Sequence, residues 1–489
     1  MVKRVMVFPA FLVAALAVSG EIPPRPEMLS FPPLSFEVPK AENLKVTLPG
    51  NVPAYVAQDR LLPLVTVQLY FRGGRYLEEP GKEGTAELLA EVWRTGGAGE
   101  LSPRELDETL DFLAAQLNTS VGGTFSSLSL NLLSKDLDRG LKLLFDVLLR
   151  PRFDEARLIK AKEDLMAELK RRNDDAADIE QREWQRLLYG DDYWLTRLPT
   201  KASVEAITRD DLVALHRRIV NPANCVVAVA GDVDRKAIVA KLQEAFQRWK
   251  AKPQPAPPVP QPTHKAKPGV FLIHKPDVNQ GRVSIGHLAA KRPLPEEFAI
   301  TVANDILGGG GFTAWMMSRI RSDEGLAYGA YSSYQINDSY PGTFRAAFQS
   351  KSSTCARAAY LTLELVAKLR RGEITDEELA TSKNSFIETF PRNFETKLRT
   401  VQLYAQDELS GRPHSYWLTW RDNIRSVDAQ KAQAAAQKLI RPEEFVILVV
   451  GNVDEILKGH PDFPDVQLAK LGPVTRLPLR DPLTLQPLP

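Results

Sequence analysis

Cysteine is scarce in this 489-residue chain, which has two, Cys225 and Cys355. Zinc ribbons and a disulfide scaffold are thereby excluded. Cys225 lies in the apolar run Cys225-Val226-Val227-Ala228-Val229-Ala230, so two buried structural thiols are expected. Histidine is equally sparse: His216, His264, His274, His287, His414 and His460 contain no pair at i, i+4, and neither HExxH nor HxxEH occurs. A catalytic zinc site assembled from this chain alone is therefore not expected. The nucleophile motif GxSxG is absent too. Charge of one sign is lacking, since 63 Lys+Arg face 61 Asp+Glu for a formal net charge of +2. With no basic stripe there is little to neutralise phosphates, so nucleic acid is excluded as a partner. Apolar runs are short of the ~20 residues a membrane helix needs. The run Val5 to Val18 is broken by Pro9, follows Lys3 and Arg4, and ends in Ala17-Val18-Ser19-Gly20. That is the layout of a signal peptide over residues 1–20, with an uncleaved anchor as the alternative. The chain is expected to be exported, to a periplasmic or other extracytoplasmic site, with no stable membrane span after cleavage.

What the sequence does have is proline, and it punctuates the chain. Residues 21–43 form a proline-rich arm, and the stretch 251–268 holds seven prolines in eighteen residues, which favours an extended spacer between folded halves. Residues 471–489 read as an extended tail. The halves at 44–250 and 269–470 are copies of one unit. Asn221 to Asp234 matches Arg441 to Asp454 at a constant offset of 220, with Pro, Val, Gly, Val and Asp coinciding. Strand-like Leu64 to Phe71 and Arg282 to Leu288 each precede a helix pattern, Glu83 to Thr95 and Glu296 to Leu307. Alternating hairpin segments follow, Ser120 to Leu132 and Tyr328 to Phe348, then longer helices. The expected architecture is α+β: two homologous domains, each a mostly antiparallel sheet covered by helices on one face.

Three features stand out as candidates for chemistry. Glu87 and Glu91 are four apart on a helix and share a face, although two solvated glutamates opposite a Leu88/Leu89/Val92 core stripe would look the same. Gly308-Gly309-Gly310-Gly311 closes a helix and lets backbone approach a ligand, or simply caps and turns. Arg321 and Tyr328, in Arg321-Ser322-Asp323-Glu324-Gly325-Leu326-Ala327-Tyr328, end a helix and enter a strand. A guanidinium and a phenol there are donors that could orient a peptide carbonyl or stabilise an oxyanion.

Together these residues resemble the pitrilysin/insulinase-type zinc peptidases, which include mitochondrial processing peptidase and the bc1 core proteins. Phe71-Arg72-Gly73-Gly74, Gly84-Thr85-Ala86, Leu188-Tyr189-Gly190 and Gly231-Asp232-Val233-Asp234 fit the frame of the family's first half. Gly308 to Gly311 and Arg321, Gly325, Leu326 and Tyr328 fit that of its second. Aligned on Gly84-Thr85-Ala86, the family's two zinc histidines fall on Glu87 and Glu91 and its general-base glutamate on Ala90. Glu168 keeps the third-ligand spacing, 77 residues past Glu91. Three carboxylates suit zinc poorly, and Ala90 has no proton to move. The resemblance thus implies a degenerate, non-zinc-binding chain with no cofactor of its own. It further implies a heterodimer in which a homologous HxxEH-bearing subunit holds zinc. In that assembly Gly308 to Gly311 would guide an extended or unfolded peptide and Arg321 and Tyr328 would contact it. A structural scaffold like the core proteins, or a peptide-sequestering module, is the alternative.

Overall fold

The computed structural model describes residues 25, 28, 29 and 35–488. The expected signal peptide and most of the proline-rich arm lie outside the described residues. The chain divides into two compact units, Met1–Glu37 and Val38–Pro489. All elements below belong to the second.

The first half contributes strands β1 (Lys45–Leu48), β2 (Val52–Gln58), β3 (Leu64–Arg72), β4 (Gln116–Val121), β5 (Phe125–Leu133) and β6 (Cys225–Gly231). They form one sheet in the order β1-β2-β6-β3-β5-β4. Its helices are α1 (Thr85–Thr95), α2 (Pro103–Phe112), α3 (Leu137–Leu149), α4 (Glu155–Lys170), α5 (Ala176–Tyr189), α6 (Lys201–Ala206), α7 (Arg209–Ile219) and α8 (Arg235–Arg248). The second half repeats the plan with β7 (Gly269–His274), β8 (Gln280–Leu288), β9 (Ala327–Tyr334), β10 (Thr343–Lys351), β11 (Val446–Gly451) and β12 (Val474–Leu477). The second sheet runs β12-β7-β11-β8-β10-β9. Its helices are α9 (Glu297–Asn304), α10 (Cys355–Arg371), α11 (Asp376–Thr389), α12 (Lys397–Ser410), α13 (Ser415–Arg425), α14 (Ala429–Leu439) and α15 (Val453–Lys458). Position for position the sheets correspond, except that β1 lies antiparallel on β2 whereas β12 lies parallel on β7. Both sheets are mixed, because β6 also runs parallel to β2 and β11 to β7.

Alternation decides which face each strand buries. Val65, Val67, Leu69 and Phe71 of β3 point into a core with Leu88, Leu89 and Val92 of α1, while Val283 and Ile285 of β8 join Ile300, Val302 and Ala303 of α9. The other face is not left to solvent. Helix α12 of the second half packs on the first sheet, where Gln402 bonds Gln68 at 2.7 Å and Arg72 donates to the Leu409 carbonyl at 2.8 Å. Helix α5 of the first half packs on the second sheet. There the Glu180 carboxylate, 1% exposed, receives Arg282 at 2.6 Å, Arg345 at 2.9 Å and the Ser284 hydroxyl at 2.5 Å. Each sheet is therefore covered on one face by its own helices, as its alternation implies, and on the other by a helix exchanged with its neighbour. That is why β6 and β11 are buried along nearly their whole lengths.

The spacer lies along the first half. Tyr76 and Tyr193 donate to the carbonyls of Pro257 and Pro260, both at 2.8 Å, and the Asn224 side chain pairs with the backbone at Gln254 and Ala256. Cys225 and Cys355 are both buried and free, and burial pushes the Cys355 thiol up to about 12.

Candidate functional site

In the first half the positions aligned with the zinc motif fall on α1. The helix begins at Gly84, whose φ of 106° needs no Cβ. Glu78 anchors that start by accepting from the amides of Gly84 at 3.1 Å and Ala86 at 2.7 Å. Burial, then the nearby Glu87 charge, pushes the Glu78 carboxyl up to about 7 against those two amides and Arg75. Glu87 is half-buried, with Oε2 shielded from solvent and without a hydrogen-bond partner. Glu91, one turn on, is exposed, as is Glu168 near the end of α4. Ala90 contributes only its carbonyl, which accepts from Thr119 Oγ1 of β4 at 2.7 Å.

Sequence reasoning missed the residue that sits among these groups. Arg172 follows α4, and burial and the Arg182 charge bring its guanidinium down to about 10, while the Glu168 and Glu87 carboxylates act on it in the opposite sense. It remains a cation near neutral pH. Its Nη1 donates to two carbonyls, Pro199 at 3.0 Å and Pro482 at 3.1 Å. The second belongs to the C-terminal tail, which runs back from β12 to the first half. The only sequence signal was spacing: Arg172 is four past Glu168, as in a helical ion pair.

These residues do not fit zinc. Among the described residues no group of three or more His, Cys, Asp or Glu could hold a metal ion. Two of the three aligned carboxylates, Glu91 and Glu168, face solvent, and only Glu87 is half-buried.

In the second half the candidates do converge. The chain leaves α9 through a π-helical turn, Asp305–Gly309. Gly308 lies so close to β9 that a Cβ there would come within 2.4 Å of the Ser332 amide nitrogen. Gly311 carries φ 64° with open space around it, and the turn presents Phe312, 73% exposed. A second π-helical stretch, Met317–Asp323, carries Arg321. Gly325, at φ 62°, then turns the chain into β9 and sets Tyr328 outward at 87% exposure. The Arg321 guanidinium lies between two rings, 4.8 Å from the centroid of Phe312 and 5.0 Å from that of Tyr328. Among the described residues neither the guanidinium nor the Tyr328 hydroxyl makes a hydrogen bond or an ion pair. Phe312 was not foreseen, because nothing in the glycine run announced a ring.

Among the described residues no hydrogen bond, ion pair or ring contact joins Arg321 or Tyr328 to Glu87, Glu91 or Glu168. Strand β9 is the outer edge of its sheet and starts at the Arg321/Tyr328 end. Beyond its far end Tyr340 packs against Tyr189, Tyr193 and Trp194 of the first half. Six residue steps separate Tyr328 from Tyr334, about 20 Å of strand.

Comparison with known proteins agrees with this reading. Residues 56–191 match the family model described as "Insulinase (Peptidase family M16)", and residues 206–386 match "Peptidase M16 inactive domain". A "Non-peptidase homolog YmxG" of Helicobacter pylori is 26% identical over 73% of this chain and 82% of its own. An "Uncharacterized zinc protease YmxG" of Bacillus subtilis is 22% identical over 79% and 92%. In fold the chain is similar to the crystal structure of a peptidase M16 inactive domain from Pseudomonas fluorescens, with TM-score 0.73, 22% identity and coverage of 83% and 97%. The periplasmic protease PqqL from Escherichia coli gives TM-score 0.71 at 15% identity, over 89% of this chain and 49% of that one. The halved M16 architecture and the two family matches make this chain a member of the insulinase (M16) peptidase family, an inactive homologue within it.

Proposed function

We propose that the chain is the substrate-contacting subunit of a two-chain zinc peptidase, lending Arg321 and Tyr328 to a partner's catalytic centre. The observation that carries this reading is the exposed Phe312–Arg321–Tyr328 stack. A guanidinium ordered between two rings, with its donors unused, is a preorganised electrostatic device rather than a packing residue. Its place beside a sheet edge suits an extended peptide, which would add to β9 through its backbone, with the open space around Gly311 leaving room for it. The partner would be a homologue with HxxEH, and the zinc would be its own. Arg321 would donate to the substrate carbonyl or to the oxyanion formed when the partner's water attacks, and the Tyr328 hydroxyl would donate a second bond.

Lys3, Arg4 and the Val5 to Val18 run place the assembly outside the cytoplasm in this reading. Residues 44–250 and 269–470 act as its two domains, joined by 251–268. The test is reconstitution. The lone chain is expected to leave unfolded peptides uncut, and addition of the HxxEH homologue should give chelator-sensitive cleavage. Arg321→Ala should lower its kcat by about 10²–10³, the usual cost of losing one such donor, and Tyr328→Phe should lower it less. Undiminished cleavage with both substitutions would leave the structural-scaffold alternative standing instead.

A further inference from the structure

The first half holds a peptide without any partner: its own C-terminal segment. After β12 the chain leaves the second sheet, and Leu479 packs against the core shared by the first half and strands β7 and β11. The segment then folds into a short turn. Asp481 Oδ1 receives the amides of Leu483 at 3.0 Å and Thr484 at 2.7 Å, the Asp481 amide donates to the Gln486 carbonyl at 2.8 Å, and the Leu488 amide returns to the Leu479 carbonyl at 2.7 Å. Three successive contacts to the first half are made through tail backbone. Asn173 Nδ2 donates to the Arg480 carbonyl at 2.7 Å, Arg172 Nη1 to the Pro482 carbonyl at 3.1 Å, and the Lys201 amide to the Leu483 carbonyl at 2.8 Å. A single ion pair fixes the register, Arg480 to buried Glu183 at 3.5 Å.

Carbonyls presented in sequence to a cation and to neutral donors are the means by which a protein holds an extended peptide whatever its side chains. The cation here is the Arg172 guanidinium, which already donates to the Pro199 carbonyl beside the tail and feels the charges of Glu87 and Glu168, two of the positions that align with zinc ligands. The unpartnered, shielded Oε2 of Glu87 marks the same place as one arranged around a positive charge. We propose that the degenerate zinc position is a peptide-backbone site whose cation is Arg172, and that Arg480–Leu485 of the same chain fill it. A ligand from outside would be a proline-containing peptide with a basic residue, and it would have to displace the tail. A tethered segment acts at an effective concentration of about 1 mM, so it excludes weak competitors. This inference concerns the lone chain and stands or falls apart from the two-chain reading.

The experiment uses a fluorescein-labelled peptide of sequence Pro478 to Pro489 and a chain ended after Leu477, which keeps β12 on β7. The shortened chain should bind the peptide at least tenfold more tightly than the full chain, and Arg172→Ala within it should abolish the gain. Equal binding to both chains, no binding to a folded shortened chain, or indifference to Arg172→Ala would each overturn the proposal. If the shortened chain does not fold, the full-length double variant Lys201→Pro/Arg480→Ala serves. Proline is accepted at the first position of a helix and removes only the amide that holds Leu483. Hydrogen exchange at the Leu485 and Leu488 amides should then rise at least tenfold and labelled peptide should bind. An undisturbed tail, or a released tail without peptide binding, overturns the idea equally.

Discussion

Two buried histidines and one buried glutamate set the chain's response to acid. His216 lies edge-on to Trp93 and Phe153, and the His287 Nε2 accepts the Arg441 amide at 3.0 Å. Burial brings both imidazoles down to about 4. The unfolded chain, near 6.5 at these sites, takes up protons that the fold refuses between pH 6.5 and 4. Stability from these groups is therefore intact above about pH 6.5 and falls as the pH drops to 4, by roughly 3 kcal/mol for each histidine. Glu78 acts with the opposite sign. Its folded value near 7 lets the native state gain a proton first, which partly offsets the loss. Urea titrations across pH 4–7 should show falling stability toward acid, and Glu78→Gln should make that fall steeper. The same residue scale explains what could be read early and what could not. Loss of both histidines and of the general base at Glu87, Glu91 and Ala90 is a matter of identity and needs no coordinates. That Glu91 and Glu168 are exposed while Arg172 is half-buried depends on where a guanidinium on three methylenes comes to rest.

Among elements, helices α5 and α12 matter most, because each belongs by sequence to one half and by packing to the other. Helix α5 inserts a carboxylate between two arginines of the opposite sheet. Deleting one partner from such a buried cluster costs more than the pair contributes, because the survivors are left desolvated and unpaired. Glu180→Ala should thus destabilise the whole unit by about 3–5 kcal/mol in chemical denaturation, while Glu180→Gln, which keeps an acceptor for Ser284, should cost less. The alternation of β3, β5, β8 and β10 was legible, and the helix patterns from Asp136 and from Cys355 fell within a few residues of α3 and α10. Short α6 and α15, and β7, a six-residue strand without polar alternation, gave no period long enough to read. The π-helical turns at Asp305–Gly309 and Met317–Asp323 were hidden for a different reason. They form because β9 approaches the backbone at Gly308, a contact between residues 24 apart.

For the molecule as a whole, helix exchange predicts that the halves do not separate even when the chain is cut. An engineered protease site within 251–268, placed away from Pro257 and Pro260, should yield two fragments that co-elute in gel filtration and unfold in one transition. Either fragment expressed alone should aggregate, since removing α12 or α5 bares a sheet face that is otherwise buried. Two early separation or recovery events for independent fragments would contradict this. The proline spacer is fastened to Tyr76 and Tyr193, and the tail, which turns back on itself at Asp481, is tied to Asn173, Arg172 and Lys201. Extension is a property of proline itself, but the partners of an extended segment are not.

Residue identities and short periods alone establish that the chain is a doubled α+β unit, that its zinc motif is gone, and that the Arg321–Tyr328 stretch ends a helix and enters a strand. Each of these rests on residue identity or on a period of a few residues, which local sterics and alternation express directly. Long-range packing settles that the halves trade helices, that Phe312 completes the stack on Arg321, and that Arg172 meets the returning tail at the Pro482 carbonyl. Those contacts join positions as distant in sequence as Arg72 and Leu409, 337 residues apart. They are chosen by the shape and charge left exposed once both sheets have formed, and no local pattern encodes that remainder.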